Sequence, residues 1–95
     1  MGQTQRVSGR ATRVWRDSTG MLVVQYHNTE VVTAYPDGSV FLRTGGWKSN
    51  TTRQRMNQAA NQYQLGYSVF QKAFAWFVTW KGQTIPFNSE ELVLR

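Results

Sequence analysis

Residues 45–66 decide the fold: Gly45-Gly46-Trp47-Lys48-Ser49-Asn50-Thr51-Thr52-Arg53-Gln54-Arg55-Met56-Asn57-Gln58-Ala59-Ala60-Asn61-Gln62-Tyr63-Gln64-Leu65-Gly66. Within this stretch Met56, Ala59, Ala60 and Tyr63 recur at i, i+3, i+4 and i+7, the spacing of one apolar stripe on an α-helix. Thr51 and Gln54 stand at the spacing of a capping box, in which each side chain satisfies the other's free backbone N–H. Gly66 is placed to stop the helix, since the residue after a last turn commonly takes positive φ. The pattern predicts one principal amphipathic helix over about residues 52–64.

Outward from the helix in both directions the period falls to two. Upstream, residues 12–15, 21–26, 31–35 and 39–43 are rich in β-branched and aromatic side chains and read as strands. Asp17-Ser18-Thr19-Gly20, His27-Asn28-Thr29 and Pro36-Asp37-Gly38 separate them, the last with proline presetting φ and glycine supplying a positive-φ position. Downstream, residues 67–72, 74–80 and 83–87 repeat the pattern, with Lys81-Gly82 as a tight hairpin link and Pro86 marking an edge strand. Asn88-Ser89 before Glu90-Glu91-Leu92 reads as one capped helical turn or a tail. The class is therefore α+β: an antiparallel β-sheet meander with one principal α-helix packed on one face, leaving part of the other face open. Residues 1–10 read as a flexible basic arm, and residues 11–95 as a single domain.

Composition bounds what such a domain can do. A chain of 95 residues, 40% of them hydrophobic and 14% aromatic, needs most of its large apolar side chains for one modest core. It has no cysteine, hence neither disulfides nor thiolate metal sites. No apolar run approaches the roughly 18 residues of a membrane span, and the N-terminus lacks the apolar block of a signal peptide. Met1-Gly2 suggests a myristoylation start, but Arg6 stands where that pattern needs Ser or Thr. A soluble, non-exported protein is expected, with no membrane partner.

Charge is the strongest lead. Eleven Lys and Arg against five Asp and Glu give +6, with a pI near 10.3. Arg6, Arg10, Arg13 and Arg16 cluster without an acid among them. From Gly38 to Ser89 no carboxylate occurs at all, while Arg43, Lys48, Arg53, Arg55, Lys72 and Lys81 fall inside that span. Such a balance attracts polyanions, nucleic acid foremost, although it also serves simply to keep a small protein in solution.

Three features carry the candidate site. Arg53 and Arg55 lie in the first turn of the helix, where the macrodipole disfavours cations, so the Gly45-Gly46-Trp47-Lys48 loop feeding that turn suggests an expected anion. The spacing is not that of a phosphate-binding Walker loop, and solvated arginines beside an ordinary turn would give the same letters. Gln54, Asn57, Gln58, Asn61 and Gln62 form a neutral amide face, read as outward, which suits base edges, a polar protein interface or plain solvent equally. Phe74, Trp76, Val78 and Trp80 alternate onto one strand face, mostly as core, and Trp47 is the best candidate for an exposed ring able to stack on a base. The residues expected to bind are Trp47, Lys48, Arg53, Arg55, Gln54, Asn57, Gln58, Asn61, Arg10 and Arg13.

Catalysis has little material. The five carboxylates fall mainly in turns and the tail, and His27 with Glu30 is explained by a turn. One histidine without cysteine forms no recognisable metal cluster, so neither enzyme activity, cofactor, metal nor small-molecule substrate is expected.

Tyr26-His27-Asn28-Thr29, Tyr35-Pro36-Asp37-Gly38, Gly45-Gly46-Trp47, Thr51-Thr52, Arg55-Met56-Asn57, Gly66-Tyr67 and Thr84-Ile85-Pro86-Phe87 together resemble small uncharacterised proteins of tailed bacteriophages. The resemblance implies a phage or mobile-element origin and expression in a host cytoplasm, and brings no assigned activity or site residue. It leaves three expectations. The first is a non-catalytic protein that binds DNA or RNA. The second is an inhibitor of a host defence or nucleic-acid-processing complex, for example an anti-CRISPR. The third is a virion or self-assembling component joined through strand edges.

Overall fold

The computed structural model describes residues 11–46 and 49–95. Four strands come first: β1 (Thr12–Arg16), β2 (Leu22–Tyr26), β3 (Thr29–Ala34) and β4 (Val40–Arg43). The helix α1 (Asn50–Tyr63) follows, then β5 (Tyr67–Lys72), β6 (Ala75–Trp80), β7 (Gln83–Pro86) and β8 (Glu91–Leu94). The α+β class holds, with every strand pair antiparallel. The strands divide into two sheets rather than continuing as one: a five-stranded sheet of order β1-β2-β3-β4-β8 and a three-stranded sheet of order β5-β6-β7.

The C-terminal segment corrects the sequence reading. Residues 91–94 form neither a helical turn nor a tail but a strand beside β4, with Val40 opposite Leu94 and Leu42 opposite Leu92. The reason lies in alternation: Leu92 and Leu94 face the core while Glu91 and Val93 face out, a period of two too short to stand out in four residues.

Each sheet turns one apolar face inward. Leu22, Val24, Val32, Val40, Leu42 and Leu94 from the larger sheet meet Val69, Trp76, Val78 and Trp80 from the smaller, and Met56, Ala59 and Ala60 of α1 complete the cluster. Val31 and Val32 are both buried although adjacent, because the register between β2 and β3 slips after Val24 and leaves Val31 as the extra residue of a β-bulge. Phe87, almost wholly buried, sets its ring edge-on to Trp76 with centroids 6.1 Å apart. The sheets are also tied by the Trp80 indole N–H, which donates to the carbonyl of Arg95 at 3.0 Å.

Ser49, not Thr51, caps the helix: its extended backbone (φ −98°, ψ 162°) lets Oγ accept from the Thr52 N–H at 3.1 Å. Thr52 is buried, and its hydroxyl lies 3.1 Å from Ser49 Oγ. The helix ends one residue earlier than expected, at a left-handed Gln64 (φ 54°). The capping N–H reaches Ala60 O, and Gly66 at φ 85° then turns the chain into β5.

Candidate functional site

The helix was expected to meet a partner through its arginines and amides, and several of these side chains are spent on holding the fold. Arg55 donates from Nε to Thr12 Oγ1 at 3.0 Å and from Nη1 to Gln58 Oε1 at 3.2 Å, and its guanidinium lies 5.9 Å from the Tyr26 ring centroid. It therefore clamps α1 to β1 and β2. Asn57 makes paired hydrogen bonds with one residue of β5, donating to Val69 O at 2.9 Å and accepting from Val69 N–H at 2.8 Å. Tyr67 adds a 2.6 Å bond from its hydroxyl to Met56 O, and burial pushes that hydroxyl's pKa well above the ordinary phenol range, so it stays a donor.

The outward amide face is corrected in part. Gln58 is only 1% exposed and Asn57 is half-buried, whereas Gln54, Asn61 and Gln62 are exposed. The stripe argument missed this because Gln58 sits one position before Ala59, on the flank of the apolar stripe, where an amide is buried once Arg55 satisfies its oxygen. Arg53 is half-buried near the start of α1. It lies in a first turn without acidic residues, and its guanidinium is held by neutral oxygens, Asn50 Oδ1 at 3.1 Å and Gln71 Oε1 at 3.4 Å. Arg13 is exposed on β1, opposite Gln25. Trp47, Lys48 and Arg10 lie outside the described residues.

The glycine pair also has a packing reason. Gly45 adopts φ 64°, and a Cβ there would collide with Thr29 Oγ1, so close approach to the β2–β3 turn already demands glycine. A cleft of about 520 Å³ lies beside it, lined by His27, Thr29, Thr44, Ser49, Thr51 and Thr52 among others, with hydroxyls and no carboxylate.

A second region lies on the three-stranded sheet. The outward face of the three-stranded sheet carries Ser68, Phe70 and Lys72 on β5, Ala75, Phe77 and Thr79 on β6, and Thr84 and Pro86 on β7, the alternates of the buried Val69, Trp76 and Val78. Phe70, Phe77 and Pro86 stand opposite one another as one cross-strand row, half-buried to exposed, and the two rings stack 5.5 Å apart at 23°. Beyond them, at the β5–β6 turn, Phe74 is 95% exposed. The alternation in sequence puts Phe74 on a strand face with Trp76, Val78 and Trp80. It occupies the turn instead, with Ala73 at φ 51° and Phe74 at φ 68°.

Positive φ at both central residues is the pattern of a type I′ hairpin turn, usually met by Asn-Gly. Alanine and phenylalanine there are strained, at about 1–3 kcal/mol for each such residue. The Lys81-Gly82 turn, at φ 49° and 76°, follows the same pattern with a glycine in the second place. The break between strands 67–72 and 74–80 falls at the β5–β6 hairpin, one residue short of its full turn, because Gln71-Lys72-Ala73-Phe74-Ala75 contains no turn-forming residue to mark Phe74.

The described residues form a small basic α+β domain built on two antiparallel sheets and one helix. The chain belongs to the bacteriophage family described as Kyanoviridae Gp96 protein, which matches residues 1–93. That membership agrees with the phage origin implied by the resemblance. Comparison with curated proteins and with solved structures found no match. No helix among the described residues is long and apolar enough to cross a membrane.

Proposed function

We propose that this phage protein binds nucleic acid inside the host cell and catalyses nothing itself. The observation that carries the reading is the distribution of charge over the fold. α1 and the three-stranded sheet lie wholly inside the carboxylate-free span from Gly38 to Ser89, so that half of the fold contributes cations and no acid, whereas Arg43 of β4 is paired with Glu91 of β8. Arg53, Lys72 and Lys81 belong to this half, and a surface of one sign raises the local concentration of a polyanion. The acids gather elsewhere: Asp17 and Asp37 in turns of the larger sheet, Glu30 on β3, Glu90 and Glu91 at β8. Lys48 and the N-terminal arginines add positive charge to the same total.

Mobility-shift titrations with single- and double-stranded DNA and RNA across salt test it. Binding should weaken linearly in log salt, with a slope of about −0.7 per neutralised phosphate on a single strand. Absence of any complex near about 50 mM salt, where phosphate contacts are strongest, ends this reading.

A host protein target is the second reading. Trp15, Tyr35 and Val93, all more than a third exposed on the outer side of the five-stranded sheet, favour it. Capture of one stoichiometric protein from nuclease-treated host lysate, lost on Trp15→Ala, would select it over the first.

A further inference from the structure

We infer that the outward face of β5–β7 is a stacking platform for unpaired bases, so that the nucleic acid bound is single-stranded. The inference rests on the nucleic-acid reading above and names the strandedness and the contacts. Four observations converge on this face. Phe70 and Phe77 present a stacked pair of rings on its open side, in line with Pro86. Ser68, Thr79 and Thr84 flank that row on one side and Lys72 on the other, so hydroxyl donors and a cation border the rings at the roughly 7 Å repeat of alternate strand residues. Neither the three strands of this face nor α1 contains a carboxylate, which fits a phosphate backbone running along the face.

The fourth observation is Phe74. Its ring is 95% exposed and its backbone sits where bulky residues are disfavoured, at the turn that extends the same face. Neither core packing nor turn geometry calls for phenylalanine there, since glycine or asparagine would meet the backbone at less cost. A ring held in solvent against both local preferences is accounted for by a ligand with a flat apolar face. Bases have such a face irrespective of sequence, and a duplex hides it within its own stack.

The test is fluorescence anisotropy with a labelled oligothymidylate of about 15 nucleotides and with a duplex of matched length, at low salt. The unaltered protein should prefer the single strand. Phe74→Gly and Phe77→Leu should each weaken single-strand binding at least about fivefold, the lower bound for loss of one base–aromatic stack. Phe74→Gly relieves the turn and should melt no lower than the parent, which separates lost binding from lost folding; Phe77→Leu keeps an apolar side chain in its half-buried place. Upfield movement of the Phe70 and Phe77 ring-proton resonances on adding oligonucleotide would support the platform without any substitution. If the parent binds nucleic acid but both variants bind as tightly, or duplex and single strand bind alike, the platform is wrong and the broader reading survives. If the parent binds neither, both fall. Capture of a protein through Phe74, without nucleic-acid binding, overturns both in favour of a protein target.

Discussion

The two sheets bury their inner faces in one core, yet their outer faces differ in kind. The outer face of the five-stranded sheet pairs charges of both signs. Arg43 lies 3.5 Å from Glu91 Oε1 and 4.8 Å from the Phe41 ring centroid, and one row crosses all five strands as Trp15, Val23, Thr33, Phe41 and Val93. Its turns are well made: Asp17 accepts from the Thr19 hydroxyl at 2.6 Å, and Asp37 from the Ser39 hydroxyl at 2.6 Å. The outer face of the three-stranded sheet has no acids, and its β5–β6 turn is built from residues that resist it. Local preference and fold agree at the Asp17 and Asp37 turns of the first sheet, although its β2–β3 turn sets His27 at φ 55°, and they conflict more sharply at Ala73 and Phe74 on the second. Such conflict marks function more reliably than charge alone, because nothing within the fold requires it.

The largest test of this contrast removes what backs the smaller sheet. Phe87→Ala should cost about 3–5 kcal/mol, the range for truncating a fully buried phenylalanine, and thermal denaturation would register it. Next, Asn57→Ala strips two hydrogen bonds from Val69 and should lower stability by about 2 kcal/mol, read in urea. Replacing the strained pair by Ala73→Asn with Phe74→Gly should raise stability by about 1 kcal/mol; a fall instead would show that the hairpin needs its aromatic tip and would erase the contrast.

Charge reversal compares the two faces directly. Lys72→Glu should weaken nucleic-acid binding several-fold and flatten its salt slope by about one phosphate, and Arg13→Glu on the mixed face should do so less. The smallest effect is acid sensitivity. The Thr19 hydroxyl holds the Asp17 carboxyl below its ordinary range, and the Ser39 hydroxyl does the same for Asp37. Groups with lowered folded-state pKa stabilise above the unfolded value near 3.8 and lose that contribution as pH falls through the folded value. The turns of the larger sheet should therefore loosen only below about pH 4, as amide exchange at Thr19 and Ser39 would report.

What was legible in the sequence follows the same divide. The Met56-Ala59-Ala60-Tyr63 period and the Pro36-Asp37-Gly38 turn obey local rules, and the structure has them. At the β5–β6 turn the break at residue 73 was legible, but the place of Phe74 within the turn was not, because Ala73 and Phe74 violate the rule that would reveal it. Strand β8 was missed because four residues carry too little alternation to compete with an Asn-Ser cap signal. Arg55, Asn57 and Gln58 illustrate a further limit: the period places a residue on a helix flank, but only the neighbouring elements decide whether that flank meets water or Thr12 and Val69. Arg53 differs in meeting only neutral oxygens, those of Asn50 and Gln71.

The paired bonds between Asn57 and Val69 have a consequence for assembly. A side-chain amide offers one donor and one acceptor in the plane of a peptide group, so on the open flank of β5 it stands in for the neighbouring strand that is not there. On the opposite flank, β7 ends in Pro86, which has no N–H to offer. Both borders of the smaller sheet are thus poor templates for a fourth strand, from a second copy or from a peptide. Among the described residues β1 and β8 border the larger sheet, and lateral growth through backbone pairing is favoured there over the smaller one.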